Sequence, residues 1–459
     1  MQLDKGLMLE DRVSKGEIFQ DFIPRILCAK SKFENNQYIY GNFVNDGVGV
    51  KTITFQVTEY CNLACTYCYQ INKSKEKLDI EKAKKFIELL IKESYDENSH
   101  LYWKKTPGIV IEFIGGEPLL EVELLDDIYD YFRNRLIEEH HPWAVYNVIS
   151  MISNGVRYME DDVQEFLNKN KDLVSFSISL DGNKELHDAC RVFHNGCGSY
   201  DKVVAACKHY MANHNELMFT KMTLAPENIS YTYDAFVNLI SLGYKYIHGN
   251  CVYENVWDKE KHPRIFYDQL VKLADYIFDN DLDNIVEISI FDEEHCQPYN
   301  PENDMNYCGS TCSMLAINND GDIYPCVRFM KSSLGDRQKP YSIGNLEEGI
   351  AVSGEYKKRF EELFSVTRTG QSTEKCNNCQ IGSGCGWCTA YNYQTTGTVN
   401  QRVVSICEMH QARALANTYY WNKYYKKNSI NKKYVMNIPK EWALSIITEE
   451  EYEMLINLI

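Results

Sequence analysis

From Thr52 onward the apolar residues switch back and forth between two spacings. Thr52–Val57 is β-branched and aromatic, the composition of a strand. Ile80–Ser94 then places apolar residues at Ile80, Ala83, Phe86, Ile87, Leu90 and Ile91, the three-and-four step of one helix face. The same reading predicts strands over Gly108–Ile114, Val145–Ile152, Leu173–Leu180, Leu217–Leu224 and Lys245–Val252. Helices are predicted over Leu119–Leu136, Asp161–Asn168, Ser199–Met211, Tyr233–Ser241 and Arg264–Asp279. Six strands alternating with helices, each crossover long enough for a right-handed parallel connection, predict an α/β fold, either a parallel sheet or a partial parallel (β/α)6 barrel. In such a sheet the chemistry collects at the carboxyl ends of the strands.

Around this rhythm the pattern is looser. Residues 1–50 read as a capping segment with short elements at Phe19–Lys30 and Tyr38–Val44, and Cys28 there as a buried small apolar residue. Past residue 283 the alternation stops. Met314–Ile317 and Asp322–Tyr324, joined by Asn318-Asn319-Asp320-Gly321, predict a β-hairpin. The tail from Glu408 is helical by spacing, and its aromatics (Tyr419, Tyr420, Trp421, Tyr424, Tyr425) read as packing rather than as a binding stripe. The expected divisions are 1–50, 51–283, 284–425 and 426–459.

Composition narrows the function. With 48 Lys+Arg against 65 Asp+Glu the net charge is −17, the wrong sign for a general nucleic-acid binder. No run approaches the roughly 18 apolar residues of a membrane span, and the first residues lack the apolar core of a signal peptide. The 17 cysteines, many tightly clustered, then point to metal in a reducing cytoplasm rather than to disulfides.

The cysteines and the strand ends carry the candidate chemistry. Cys61, Cys65 and Cys68 form a Cys-x3-Cys-x2-Cys array just after the first strand. Three thiolates this close can hold three corners of a [4Fe–4S] cube and leave the fourth iron open to a small molecule; a zinc site, normally built from Cys-x2-Cys pairs, fits the spacing poorly. Gly115-Gly116-Glu117-Pro118 follows the second strand and reads equally as a plain turn or as two glycines letting backbone approach a ligand beside a carboxylate. Ser153-Asn154-Gly155 follows the third. The fourth carries Ser177 and Ser179 on alternate positions, then Asp181, with Arg191 ten residues on. The hydroxyls suit a ribose and the Arg a carboxylate, while Asp181 reads equally as a turn cap. Farther on, Cys308, Cys312, Cys326, Cys376, Cys379, Cys385, Cys388 and Cys407 put eight thiols into 100 residues. A pair of iron–sulfur sites and a pair of zinc ribbons both answer to that count.

The Cys61 triple, with Tyr67 just before its last cysteine, resembles the signature of radical S-adenosylmethionine (SAM) enzymes. Gly115, Gly116 and Glu117 resemble that family's site for the SAM amino group. Ser179 and Arg191, the latter within His187-Asp188-Ala189-Cys190-Arg191, match the strand and segment by which that family binds SAM, and Asn154 and Ser177 are candidate contacts beside them. The later cysteines resemble the SPASM domain of family members that modify peptides and proteins: a Cys, a hairpin, Gly-x4-Cys, a Cys-x2-Cys-x5-Cys cluster and a distant last Cys. The resemblance implies two auxiliary [4Fe–4S] clusters with interleaved ligands, Cys308, Cys312, Cys326 and Cys388 for one, Cys376, Cys379, Cys385 and Cys407 for the other. One departure, two residues rather than three between Cys385 and Cys388, leaves their partition open.

What the resemblance implies is three [4Fe–4S] clusters, SAM, and an electron donor of flavodoxin or ferredoxin type. The first cluster reduces SAM, and a 5′-deoxyadenosyl radical takes hydrogen from the substrate. Sulfatase maturases carry an Asp after the Gly-x4-Cys cysteine; Val327-Arg328 stand there, which disfavours that activity, and Arg328 reads equally as a partner of a substrate carboxylate or as a surface Arg. The expected function is a maturase that installs an intramolecular crosslink, a thioether at Cys first, in a ribosomally synthesised precursor peptide. Either a separate protein or the body of this chain reads the leader. The alternatives are a carbon–carbon crosslinking or epimerising maturase, a small-molecule radical SAM dehydrogenase, and a non-catalytic iron–sulfur or zinc scaffold.

Overall fold

The computed structural model describes residues 49–214, 220–300, 304, 306 and 308–458. The expected elements Phe19–Lys30 and Tyr38–Val44, Cys28 and the first residues of the expected fifth strand lie outside them. Strand β1 (Lys51–Thr58) is buried at every position, because it is laddered on both sides. Strand β2 (Ile109–Gly115) runs parallel to it on one side and β8 (Met314–Ile317), more than 250 residues later, runs parallel on the other. Strands β3 (Asn147–Ser153) and β4 (Val174–Ile178) continue the sheet beyond β2. Beyond β8 come β9 (Asp322–Tyr324), β10 (Gly344–Asn345) and β11 (Gly349–Ile350), each antiparallel to its neighbour. The predicted hairpin is therefore present, its turn closed by Gly321 at φ +90° and by the Asn318 carboxamide, which accepts from the Asp320 and Asp322 amides. It is also part of the barrel sheet.

The six expected barrel strands divide as four and two. Strands β5 (Thr220–Leu224), β6 (Tyr246–Cys251) and the short β7 (Glu287–Ile288) form a second parallel sheet, and no ladder joins β4 to β5 among the described residues. Past Ile178 the chain is drawn back, the Ser179 amide donating to the Ser153 carbonyl at 2.8 Å. It then turns at Gly182, φ +113°, where an added Cβ would lie 2.3 Å from that of Ala235. Single bonds span the seam instead: Thr220 Oγ1 donates to the Leu180 carbonyl at 3.0 Å and the Thr223 amide to Asp181 Oδ1 at 3.1 Å.

Helices cover the outer face. Helix α1 (Ile80–Ser94) begins where Asp79 accepts from the Glu81 and Lys82 amides, and it buries Ala83, Phe86, Ile87, Leu90 and Ile91 as its spacing predicts. Phe86 meets Phe55 of β1 edge-to-face at 5.6 Å. Helices α2 (Val122–Glu138), α3 (Asp161–Lys169), α4 (Lys184–Cys190), α5 (Tyr200–His214), α6 (Thr232–Ser241) and α7 (Lys261–Asp279) follow in order. Helix α8 (Cys407–Lys427) lies on α7, with Tyr419 donating to Asp275 at 2.6 Å and Tyr420 stacked on Phe291 at 4.3 Å. Its aromatic run is packing, as expected. No helix among the described residues is long and apolar enough to cross a membrane.

A chain ended at Asp283 would strip β8 from β1 and turn the most enclosed strand into an open edge, a template for pairing with other chains. Such a truncation is expected to aggregate, and the full chain not to, in size-exclusion chromatography at equal concentration.

Candidate functional site

The carboxyl ends of β1 to β4 converge on the loop that carries Cys61, Cys65 and Cys68. That loop is held by its backbone: the Ala64 amide donates to Val192 O at 2.7 Å, Thr66 to Cys190 O at 3.0 Å and Asn72 to Ser332 O at 3.0 Å. His194 Nε2 contacts the Cys61 carbonyl at 2.8 Å. The exit of β2 runs hard against it, the amides of Gly116 and Glu117 donating to the carbonyls of Thr58 and Tyr60 at 3.0 Å. A Cβ at Gly115 would fall 2.5 Å from Thr58 O and one at Gly116 2.3 Å from Tyr60 O. The two glycines thus let two pieces of backbone meet, a duty the sequence reading assigned to a ligand.

Glu117 is fully enclosed and stitches strand ends together. Oε1 accepts from Ser153 Oγ at 2.7 Å and the Leu119 amide at 3.1 Å, and Oε2 from the Asn154 amide at 2.7 Å. Burial pushes its carboxyl above the usual range, against these bonds, which favour the charged form. Asn154 in turn reaches Asn62 Oδ1 at 2.6 Å and lies 3.8 Å from Cys61 Sγ. Ser177 is buried on β4 opposite Ile152 of β3, and Ser179 is half-buried.

Asp181, a turn cap in one sequence reading, is the hub. Its buried carboxylate takes the Arg191 guanidinium at 2.7 Å from Nε and 3.3 Å from Nη2, the Thr223 amide of β5, and the Tyr67 hydroxyl from the cysteine loop. Arg191 also lies over the Tyr67 ring, 5.4 Å from its centre. Arg191 therefore spends two of its five N–H bonds on Asp181. Behind them His187 accepts from the Asp181 amide on Nδ1 and contacts Ser199 Oγ through Nε2 at 2.9 Å.

The later cysteines fall into two neighbourhoods. Cys376, Cys379, Cys385 and Cys407 line one cavity with Arg402 and His410. Cys308, Cys326 and Cys388 lie within electrostatic reach of one another. Cys312 is buried at the foot of β8, its carbonyl accepting from Lys51 Nζ at 2.8 Å. Cys385 also lines a second cavity with Cys308, so the two neighbourhoods adjoin. Arg328, two residues past Cys326, is ion-paired with Glu254 and lies 4.7 Å above the Tyr69 ring, next to Cys68. It therefore stands between the two cysteine regions. Of the remaining thiols, Cys190, Cys207 and Cys296 are buried, Cys197 is exposed, and Cys251 lines a cavity at the end of β6.

The donor sets fit iron–sulfur clusters by their chemistry. They are all thiols (the Cys61 loop, the four lining one cavity, and Cys308, Cys326 and Cys388), each group with a cation in electrostatic reach: Lys73, Arg402 and Arg328 in turn. Burial pushes the Cys61 thiol up to about 11 and Cys407 up to about 12, so a metal must displace protons to bind. Among the described residues no three His, Cys, Asp or Glu side chains converge on one point as a single ion requires. A cube, which gives each thiolate its own iron, does not ask them to.

Residues 55–236 match the Radical SAM superfamily, and residues 308–380 match SPASM, an iron-sulfur cluster-binding domain. The chain is 27% identical over 349 residues to a cysteine-type anaerobic sulfatase-maturating enzyme of Clostridium novyi (strain NT), covering 71% of this chain and 84% of that protein. It is 24% identical over 364 residues to the mycofactocin maturase MftC of Mycolicibacterium smegmatis, with 75% and 79% covered. The solved structure of native anSMEcpe with bound AdoMet and Cp18Cys peptide superposes with a TM-score of 0.58 at 18% identity, over 83% of this chain and 99% of that one. This structural likeness speaks for the fold.

Two measurements check the site. Asp181→Asn leaves Arg191 buried without its counter-charge and is expected to cost about 3–5 kcal/mol in chemical denaturation. Acidification acts through the histidines. Burial lowers His187 and His410 to about 3 from the usual 6.5. Below 6.5 the unfolded chain takes up protons that the native one refuses until about 3. Their contribution is complete above the upper value and declines as pH falls toward the lower. The loss of melting temperature over that window is expected to shrink in a His187→Asn/His410→Asn variant.

Proposed function

The chain is a radical SAM enzyme with a SPASM domain, and from that premise we propose that it matures a ribosomally synthesised precursor peptide by closing an intramolecular crosslink, with a thioether at cysteine as the leading product. The observation that carries the reading is that two thiol regions flank one interior. The Cys61, Cys65 and Cys68 loop lies at the end of β1, and Cys326 and Cys388 lie beyond Arg328, whose guanidinium rests on Tyr69 of that loop. Such an interior suits a substrate that must be opened at one wall and oxidised at the other. The maturase names of the relatives, and the Cp18Cys peptide bound in the superposed structure, support the class of substrate.

On this reading Cys61, Cys65 and Cys68 hold a [4Fe–4S] cluster with one iron left for SAM. Cys308, Cys312, Cys326 and Cys388 hold a second cluster, and Cys376, Cys379, Cys385 and Cys407 a third. When bound, the first cluster and SAM supply the one-electron chemistry that opens an unactivated C–H bond. The chain's own residues supply position. The backbone of Gly115, Gly116 and Glu117 presses the cysteine loop into place and offers carbonyl acceptors for an amino group. Asn154 steadies Cys61, and Ser177 and Ser179 present hydroxyls for a ribose. The N–H groups that Asp181 leaves on Arg191 face a carboxylate. Tyr67, fastened to Asp181, keeps the loop from swinging into solvent.

Sulfatase maturation is the reading the first relative's name suggests. Against it, Val327 stands where an Asp base belongs, and Arg328 beside it is already paired with Glu254. The electron donor is expected to be a flavodoxin or ferredoxin, and the leader to be read by this chain or by a separate protein.

The test is product chemistry on a candidate peptide with anaerobically reconstituted enzyme, which is expected to hold about 12 iron per chain, four per cube. A thioether leaves the peptide two hydrogens lighter and makes one cysteine inert to alkylation per bond, with one 5′-deoxyadenosine formed if SAM is consumed. The same mass loss with every cysteine still alkylated would replace the thioether by a carbon–carbon bond. An unchanged mass with inverted stereochemistry would mean epimerisation. Zinc in place of iron and labile sulfide would end the radical reading.

A further inference from the structure

The inner wall of the barrel carries a charge that the cofactor residues leave unused. On β5 the positions alternate: Thr220, Met222 and Leu224 are buried, whereas Lys221 and Thr223 face the other way. The register partner of Lys221 on β6 is His248, which also turns from the core and lines a cavity with Asn250, Tyr253 and Arg413. Lys221 is open to solvent on the face of β5 away from the core, and the protein around it still withdraws water from its ammonium.

The charges in reach of its ammonium come from opposite walls. Arg191 stands on the side of Cys65, Arg328 and Cys388 on the side of the later cysteines, and Glu112 on β2. Lys221 thus lies within electrostatic reach of groups from both thiol regions. The other cations there are matched, Arg191 by Asp181 and Arg328 by Glu254. Glu112 gives one oxygen to Thr54 Oγ1 at 2.6 Å and attracts Lys221 without pairing with it. Among the described residues no acidic oxygen comes within ion-pair distance of Lys221. A partly dehydrated cation is costly to hold unless an anion meets it.

Building on the peptide-maturase reading, we propose that Lys221 binds a carboxylate of the substrate peptide and so holds the residue beside that carboxylate between the two thiol regions. The carboxylate belongs to an Asp or Glu side chain or to the peptide C-terminus, and one ammonium reaching from β5 serves either. Lys221 would then set where along the peptide the crosslink forms, and His248 beside it would line the path of the neighbouring residues.

The probes are two random dodecapeptide libraries, one with free C-termini and one amidated, passed anaerobically over immobilised reconstituted enzyme, with retained peptides read by mass spectrometry. The wild type is expected to enrich acidic residues or free C-termini by about 10-fold, as one charge-assisted contact allows. Loss of the preference on amidation assigns it to the C-terminus, and persistence assigns it to a side chain. Lys221→Met is expected to abolish the preference and Lys221→Arg to keep it, with iron content and SAM binding unchanged in both. Peptides retained by the wild type without acidic preference, or a preference that survives Lys221→Met, overturn the anchor and leave the maturase reading intact. Retention of no peptide by any form overturns both.

Discussion

The site rests on one carboxylate at a seam. Among the described residues strands β4 and β5 do not ladder, and single bonds span the gap between the two sheets. Asp181 supplies the central ones, taking the Thr223 amide of β5, the Arg191 guanidinium and the Tyr67 hydroxyl from the cysteine loop. A buried ionised carboxylate is costly unless its oxygens are filled, and these three donors fill them. The same atoms that close the barrel therefore orient the cysteine loop, and neither arrangement can loosen alone. His187, accepting from the Asp181 amide, fixes the backbone beneath the carboxylate.

Much of this was legible in the sequence, for reasons that differ by residue. The three-and-four spacing of Ala83, Phe86, Ile87, Leu90 and Ile91 predicts α1 because a helix buries one face. The cysteine spacings are informative because thiolates around a cluster must come from loops of set length. The role of Asp181 was not legible: one Asp after a strand suits a turn as well as a hub, and its partners Tyr67, Arg191 and Thr223 are spread over more than 150 residues. The division of the barrel into two sheets was hidden for a related reason. The composition of Leu173–Leu180 is that of a strand throughout, and only the turn at Gly182 against Ala235 shows why the ladder stops at Ile178. The glycines of Gly115-Gly116 were recognisable as a place of close approach, but what approaches, the backbone of Thr58 and Tyr60, is a matter of tertiary structure.

The cysteine-rich part is an extension of the barrel sheet rather than an appendage. Strand β8 pairs with β1 from Thr52 to Phe55, and Asn72 and Gln56 bond to Ser332 beyond the hairpin. Arg328 then reaches back to Tyr69. Backbone, amide and cation contacts thus set the distance between the two thiol regions, so the space between them is fixed by several elements rather than by one hinge.

The pairing of β1 with β8 also has a consequence for how the chain is made. Thr52 leaves the ribosome 262 residues before Met314, its partner. At 5–20 residues per second that is a wait of roughly 10–50 s. For that interval one flank of a strand buried along its whole length has nothing to pair with, while the cysteine loop that follows it is already outside the tunnel. Assembly of the first thiol site therefore belongs late in synthesis, and a cell that makes this protein must keep a reactive, half-finished sheet from other nascent strands until its last third arrives.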